Sequence, residues 1–129
     1  MPEAVVPERT RVLLADDDPT MLVALGDLLT TQGYEVVATA EDGQSALALI
    51  QQYRPDVAIL DLRMPQMSGT EVAAALADQG VEVPVIMFSA FDDPQLQIEA
   101  EGLGVVEYLV KGCSSREIIK TIESCAPRK

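Results

Sequence analysis

Five short apolar runs punctuate the chain: residues 12–15 (VLLA), 35–39 (EVVAT), 57–60 (VAIL), 85–88 (VIMF) and 105–110 (VVEYLV). Most are unbroken rather than alternating, the pattern expected when helices cover both faces of a parallel sheet. Helix signals follow them. Asp18-Pro19 offers an N-cap with proline at the first helical position, and Asp93-Pro94 repeats the device. Ser114-Ser115-Arg116-Glu117 has the spacing of a capping box for the last helix. Gly33 and Gly80 stand where the first and third helices should stop, and Gly102 or Gly104 would end the fourth. Strands that alternate with helices in this way predict an α/β fold, a doubly wound parallel sheet with right-handed crossovers. Residues 1–10 and 127–129 read as loose ends around one domain over 11–126, with no internal linker or repeat.

In such sheets ligands sit beyond the carboxyl ends of the strands. The polar residues at those ends are Asp16, Asp17 and Asp18 after the first run, Asp61 after the third, Ser89 after the fourth and Lys111 after the fifth. Each has an ordinary reading on its own, as a turn residue, a satisfied hydroxyl or a solvated charge, and Asp18 before Pro19 reads as a helix cap. Together they are harder to set aside. Asp16, Asp17 and Asp61 crowded at one edge repel one another, and one must take up a proton unless a cation is bound. Oxygen-only ligands of this kind suit Mg²⁺.

Composition narrows the chemistry. The 129 residues are 48% apolar and 23% charged, enough for one packed core. A net charge of −12 argues against an unaided grip on nucleic acid. No apolar run reaches the roughly 18 residues of a membrane span, and residues 1–11 (MPEAVVPERTR) lack a signal-peptide pattern, so a cytoplasmic location is expected. The chain has no histidine, which removes Ser-His-Asp and Cys-His nucleophilic sites and histidine metal ligands. Cys113 and Cys125 bracket a helical stretch that would hold them roughly 18 Å apart, too far for a disulfide. What remains is carboxylate, hydroxyl and lysine. A carboxylate such as Asp61 can accept a phosphoryl group as an acyl phosphate, a transfer that needs positioning and charge neutralisation. Mg²⁺, the Lys111 ammonium and the Ser89 hydroxyl could each meet one phosphoryl oxygen.

The segments VLLADDDPTM, VAILDLRMPQMSG, VPVIMFSA and EYLVKG resemble the receiver domain of two-component response regulators, the CheY-like family, over residues 11 to 125. The resemblance implies a (βα)5 flavodoxin-like sheet of order 2-1-3-4-5. It implies that Asp61 is the phosphoacceptor, that Asp17 is the direct metal carboxylate and Asp16 its water-mediated neighbour. The Arg63 main-chain carbonyl would also bind the metal. Ser89 and Lys111 would bind the phosphoryl group. Ser89 would also act as the switch hydroxyl, with Tyr108 as the aromatic that turns inward when it moves. Arg63 and Phe91, each two residues past a site residue, match positions that govern the dephosphorylation rate. The implied partners are a sensor histidine kinase or histidine phosphotransfer protein and an unidentified output domain or downstream protein. A homodimer through the last strand and its flanking helices would be compatible. Such a domain is a signalling module rather than an enzyme.

Two departures stand out. Gly112 replaces the proline that commonly follows the lysine, leaving open whether the Lys111–Gly112 peptide is cis or trans, and Ser68 replaces the Asp often found before Gly69. Two other readings compete. Residues 16–20 (DDDPT) fit the D-x-D-x-T motif of haloacid dehalogenase-type phosphatases, with Asp16 as nucleophile and Asp18 as general acid. That reading leaves Asp61 unexplained, and only Glu117 and Glu123 follow the lysine to supply further metal carboxylates. The other is a degenerate receiver-fold binding module that is never phosphorylated.

Overall fold

The computed structural model describes residues 9–126. The expected loose ends fall outside them except for Arg9 and Thr10, and Thr10 is tied in, its carbonyl accepting from the Glu35 N–H at 2.9 Å. Strand and helix alternate as β1 (Arg11–Ala15), α1 (Pro19–Thr31), β2 (Glu35–Ala40), α2 (Gly43–Tyr53), β3 (Val57–Leu60), α3 (Gly69–Asp78), β4 (Val85–Ser89), α4 (Pro94–Gly102), β5 (Val105–Val110) and α5 (Ser115–Cys125). All four strand pairings are parallel, and the sheet order is β2-β1-β3-β4-β5.

The apolar runs take their form from this order. The central strands β3 and β4 are buried at every position, and β1 at every position after Arg11. Successive side chains of a strand point to opposite faces. Leu13, Ala58, Leu60 and Met87 therefore join one core with Ala46 and Ile50 of α2 and Val72 and Leu76 of α3. Val12, Leu14, Ile59 and Ile86 join the other with Leu25 and Leu29 of α1 and Ile118 and Ile122 of α5. The edge strands need no such continuity: β2 holds a single buried residue, Ala40, and β5 leaves Val106 exposed.

The helix ends follow their local chemistry. Asp18 accepts from the Thr20 N–H at 3.0 Å and Asp93 from the Gln95 N–H at 2.9 Å, each with proline at the start of its helix. The Ser114 hydroxyl accepts from the Glu117 N–H at 3.1 Å. The reciprocal box is complete at Ser68, whose hydroxyl accepts from the Glu71 N–H while the Glu71 carboxylate accepts from the Ser68 N–H. Of the two glycines offered for the end of α4, Gly102 is its last residue and Gly104, at φ +96°, makes the left-handed turn.

Two glycines bring loops into contact with the strand ends. A Cβ on Gly43, at the start of α2, would collide with the Met67 carbonyl, and the Gly43 N–H donates to the Pro65 carbonyl at 3.1 Å. A Cβ on Gly69 would collide with the Asp61 carbonyl and lie 2.8 Å from the Met87 sulfur. The loop after β3 is thereby held between the first residues of α2 and α3. Cys113 and Cys125 are both free and half-buried, and the Lys111–Gly112 peptide is trans.

Candidate functional site

Parallel pairing aligns the strand ends. The Asp16 N–H donates to the Ala40 carbonyl at 3.0 Å and the Asp61 N–H to the Ala15 carbonyl at 2.9 Å, so the two aspartates leave neighbouring strands at the same level. On the other flank the Lys111 N–H donates to the Ser89 carbonyl at 2.6 Å. The result is one cluster at the carboxyl edge of the sheet. Lys111 Nζ lies 2.8 Å from Asp16 Oδ2 and 3.3 Å from Asp61 Oδ2. Carboxylate oxygens of Asp16, Asp17 and Asp61 all lie within 4.8 Å of one another.

Burial differs among the three carboxylates. Asp16 is 2% exposed and Asp61 7% exposed, whereas Asp17 is exposed to solvent. Asp16 already uses both oxygens, Oδ1 accepting from the Asp18 N–H at 2.9 Å and Oδ2 pairing with Lys111. Burial, with the negative charge of Asp16 and a smaller push from Asp17, raises the Asp61 carboxyl to about 6 against the pull of Lys111. Burial also draws the Lys111 ammonium down, but its hydrogen bond to Asp16 and the charges of Asp61 and Asp16 outweigh this and hold it above its usual value. Three carboxylates against one ammonium leave the cluster deficient in positive charge.

That deficit and the donor set fit a hard divalent cation. In an octahedron with ligands at 2.0–2.1 Å, oxygens at neighbouring corners are about 2.9 Å apart and at opposite corners about 4.2 Å, so carboxylate oxygens within 4.8 Å of one another are near enough to share one ion, directly or through its water. Asp18 stands apart from the cluster as the cap of α1, which deprives a D-x-D-x-T phosphatase of its general acid.

Ser89 is fully buried, and its hydroxyl accepts from the Phe91 N–H at 3.0 Å. Tyr108 is half-buried on β5, its phenol donating to the Phe91 carbonyl at 2.8 Å. Phe91 is 41% exposed, and its ring carries the Arg63 guanidinium 4.5 Å from its centroid. The side chains singled out in the sequence thus form a carboxylate–lysine cluster and a second group around Phe91. Sequence reasoning placed Arg63 and Phe91 beside the site but not against each other. Their equal two-residue offset from Asp61 and Ser89 was the one signal of it.

A model of the response regulator receiver domain matches residues 12–123. The chain belongs to that family. It is 39% identical over 121 residues to the probable transcriptional regulatory protein NarL of Mycobacterium tuberculosis, a match covering 93% of this chain and 56% of that one. It is 35% identical over 126 residues to the transcriptional regulatory protein PdtaR of the same organism, covering 98% and 60%. Among solved structures, the signal receiver domain of NarL from M. tuberculosis superposes with a TM-score of 0.89 at 38% identity, covering 92% of this chain and 97% of that one. The chemotaxis protein CheY4 of Vibrio cholerae does so at 0.84 and 32%, covering 92% and 99%. This receiver domain spans about half the length of the curated relatives it matches. Its sheet order is the flavodoxin-like one expected from the resemblance. No helix among the described residues is long and apolar enough to cross a membrane.

Proposed function

We propose that this receiver domain accepts a phosphoryl group on Asp61 from a phosphohistidine donor, a sensor histidine kinase or a histidine phosphotransfer protein, and that the acyl phosphate resets its output surface. The observation that carries the reading is the Asp61 carboxylate held 3.3 Å from the Lys111 ammonium beside Asp16 and Asp17. One Asp61 oxygen bonds to phosphorus as the donor's bond to phosphorus breaks, and the donor nitrogen keeps the electron pair. Lys111 pairs with a phosphoryl oxygen, and the Ser89 hydroxyl turns from the Phe91 N–H toward another. Tyr108 follows inward into the space that Ser89 vacates. Mg²⁺ held by Asp17 and Asp61, by Asp16 through water and by the Arg63 main-chain carbonyl would supply positive charge at the remaining oxygen. The domain acts on itself rather than turning over a substrate. It works in the cytoplasm as residues 11–126 of a regulator whose output domain or downstream partner carries the response, and a homodimer is compatible with it. The acidic charge leaves nucleic-acid contact to other parts of the regulator.

Incubation with acetyl phosphate, followed by intact-mass spectrometry, tests the reading. Gain of one phosphoryl group with Mg²⁺ and none without it is expected, and no gain under either condition overturns it. The metal assignment has its own check. Asp17→Asn should weaken Mg²⁺ binding at least as much as Asp16→Asn, because Asp16 is already engaged by Lys111 and the Asp18 N–H. Asp18→Ala should cost only its cap, about 0.5–2 kcal/mol of stability, and leave Mg²⁺ affinity unchanged. A calorimetric titration in which Asp18→Ala abolishes binding would overturn the assignment.

A further inference from the structure

Arg63 stands between two backbone anchors in the loop after β3. On one side the Gly69 N–H donates to the Leu62 carbonyl at 2.9 Å, closing the loop onto its own base. On the other, the Pro65 carbonyl accepts from both the Gly43 N–H at 3.1 Å and the Met67 N–H at 2.8 Å. The Met67 bond closes a tight turn around Gln66, whose φ of +74° is that of a γ-turn. A glutamine keeps such a backbone only where its surroundings hold it there. The start of α2 does the holding. A Cβ on Gly43 would lie 1.9 Å from the Met67 carbonyl oxygen and 2.6 Å from the carbonyl carbon, so no side chain fits. The Asp42 cap fixes that helix start in turn, its carboxylate accepting from the Ser45 N–H at 2.7 Å.

We infer that Gly43 is a positioning residue for the metal site: the first residue of α2 braces the tip of the acceptor loop and thereby fixes the Arg63 main-chain carbonyl. This rests on the phosphoacceptor reading above, in which that carbonyl binds Mg²⁺. Pro65 lies two residues past Arg63, so a tip pushed away from α2 carries the Arg63 peptide with it. Asp61 does not follow, because its own N–H is bonded to the Ala15 carbonyl on the neighbouring strand. Loss of the brace therefore misaligns one oxygen ligand and leaves the carboxylates in place. Groups that orient a ligand without touching the metal change affinity by about 10–100-fold, and a largely hydrated ion such as Mg²⁺ falls at the low end, about tenfold.

Two measurements test the brace. Calorimetric titration should show Mg²⁺ binding about tenfold weaker in Gly43→Ala than in the unsubstituted protein. Ile50→Val, which thins the core under the same helix, should lower stability and leave Mg²⁺ affinity unchanged. The second measurement needs no substitution and decides the matter should Gly43→Ala fail to fold. Coupling is reciprocal, so saturating Mg²⁺ should slow hydrogen exchange of the Gly43 N–H by up to the same factor of about ten, read by NMR. The Ser45 N–H, bonded to Asp42 instead of the loop, should slow less. Unchanged Mg²⁺ affinity in Gly43→Ala, an equal loss in Ile50→Val, or a Gly43 N–H slowed no more than that of Ser45 overturns the brace and leaves the phosphoacceptor reading intact. An unsubstituted protein that binds no Mg²⁺ removes the metal reading and the brace together.

Discussion

Asp61→Asn should lose phosphoryl acceptance completely and at the same time become more stable than the unsubstituted protein in the absence of Mg²⁺. The first effect follows from chemistry: an amide oxygen cannot form the acyl phosphate, and no neighbouring carboxylate can substitute for it. Asp16 is occupied on both oxygens, and Asp17 is exposed to solvent whereas Asp61 is buried against Lys111. Intact mass after treatment with acetyl phosphate and Mg²⁺ should show the adduct on the unsubstituted protein and none on the variant. An adduct that persists in Asp61→Asn and vanishes in Asp16→Asn would point to phosphatase-like use of Asp16.

The second effect follows from electrostatics. The Asp61 carboxyl sits at about 6 in the folded protein, raised by burial and by Asp16 from about 3.9 in an unfolded chain. Between those values the folded state holds a proton that the unfolded chain has released. The Asp61 contribution to stability is therefore most favourable below about pH 4, falls as pH rises through 6, and carries its full penalty above that. Two pH units correspond to about 3 kcal/mol, an upper bound once local relaxation is allowed for. Asp61→Asn removes the charge while retaining the shape, so urea melts at about pH 7.5 should show a gain of about 1–3 kcal/mol that shrinks toward pH 4. Mg²⁺ should raise the stability of the unsubstituted protein and do little for the variant. A variant less stable than the unsubstituted protein at both pH values would show that the carboxylate is not strained there.

The same burial explains what could be read from the residues alone. The runs of β1, β3 and β4 are continuous because both faces of each strand are covered, and the polar residues at their ends, Asp16, Asp17, Asp61 and Ser89, are therefore legible as candidates. The strand bounds differ from the runs by one residue at Arg11, Ala40 and Ser89, since ladder hydrogen bonding continues one residue beyond each run. The order of the strands was not written in those runs. It came from the resemblance, because periodicity says which face a residue takes and not which strand lies beside it. Loop-to-loop contacts were illegible for a related reason. Asp42 caps α2, accepting from the Ser45 N–H at 2.7 Å, and Gly43 abuts Met67, a residue more than twenty positions along the chain. Nothing in the sequence around Phe91 tells that its backbone holds Ser89 and Tyr108, a fact that depends on how the loop after β4 folds back over β5.

The lifetime of the acyl phosphate should be set by Arg63 and Phe91 together. Hydrolysis requires a water in line with the Asp61–phosphorus bond, and Arg63 and Phe91 stand two residues past Asp61 and Ser89 on the loops that leave β3 and β4, the guanidinium 4.5 Å from the ring centroid. Phe91 offers no polar group to orient a water, and Arg63 can pair with a phosphoryl oxygen, so neither side chain assists the attack. Replacing Arg63 with Asn opens the approach, and replacing Phe91 with Glu supplies a carboxylate able to hold a water. The double variant should dephosphorylate on the order of tenfold faster, equivalent to about 1.4 kcal/mol of barrier. The rate is read by following loss of the phosphoryl adduct after the donor is removed. A double variant no faster than the unsubstituted protein would mean that both side chains stand clear of the water's path, and that another group sets the lifetime.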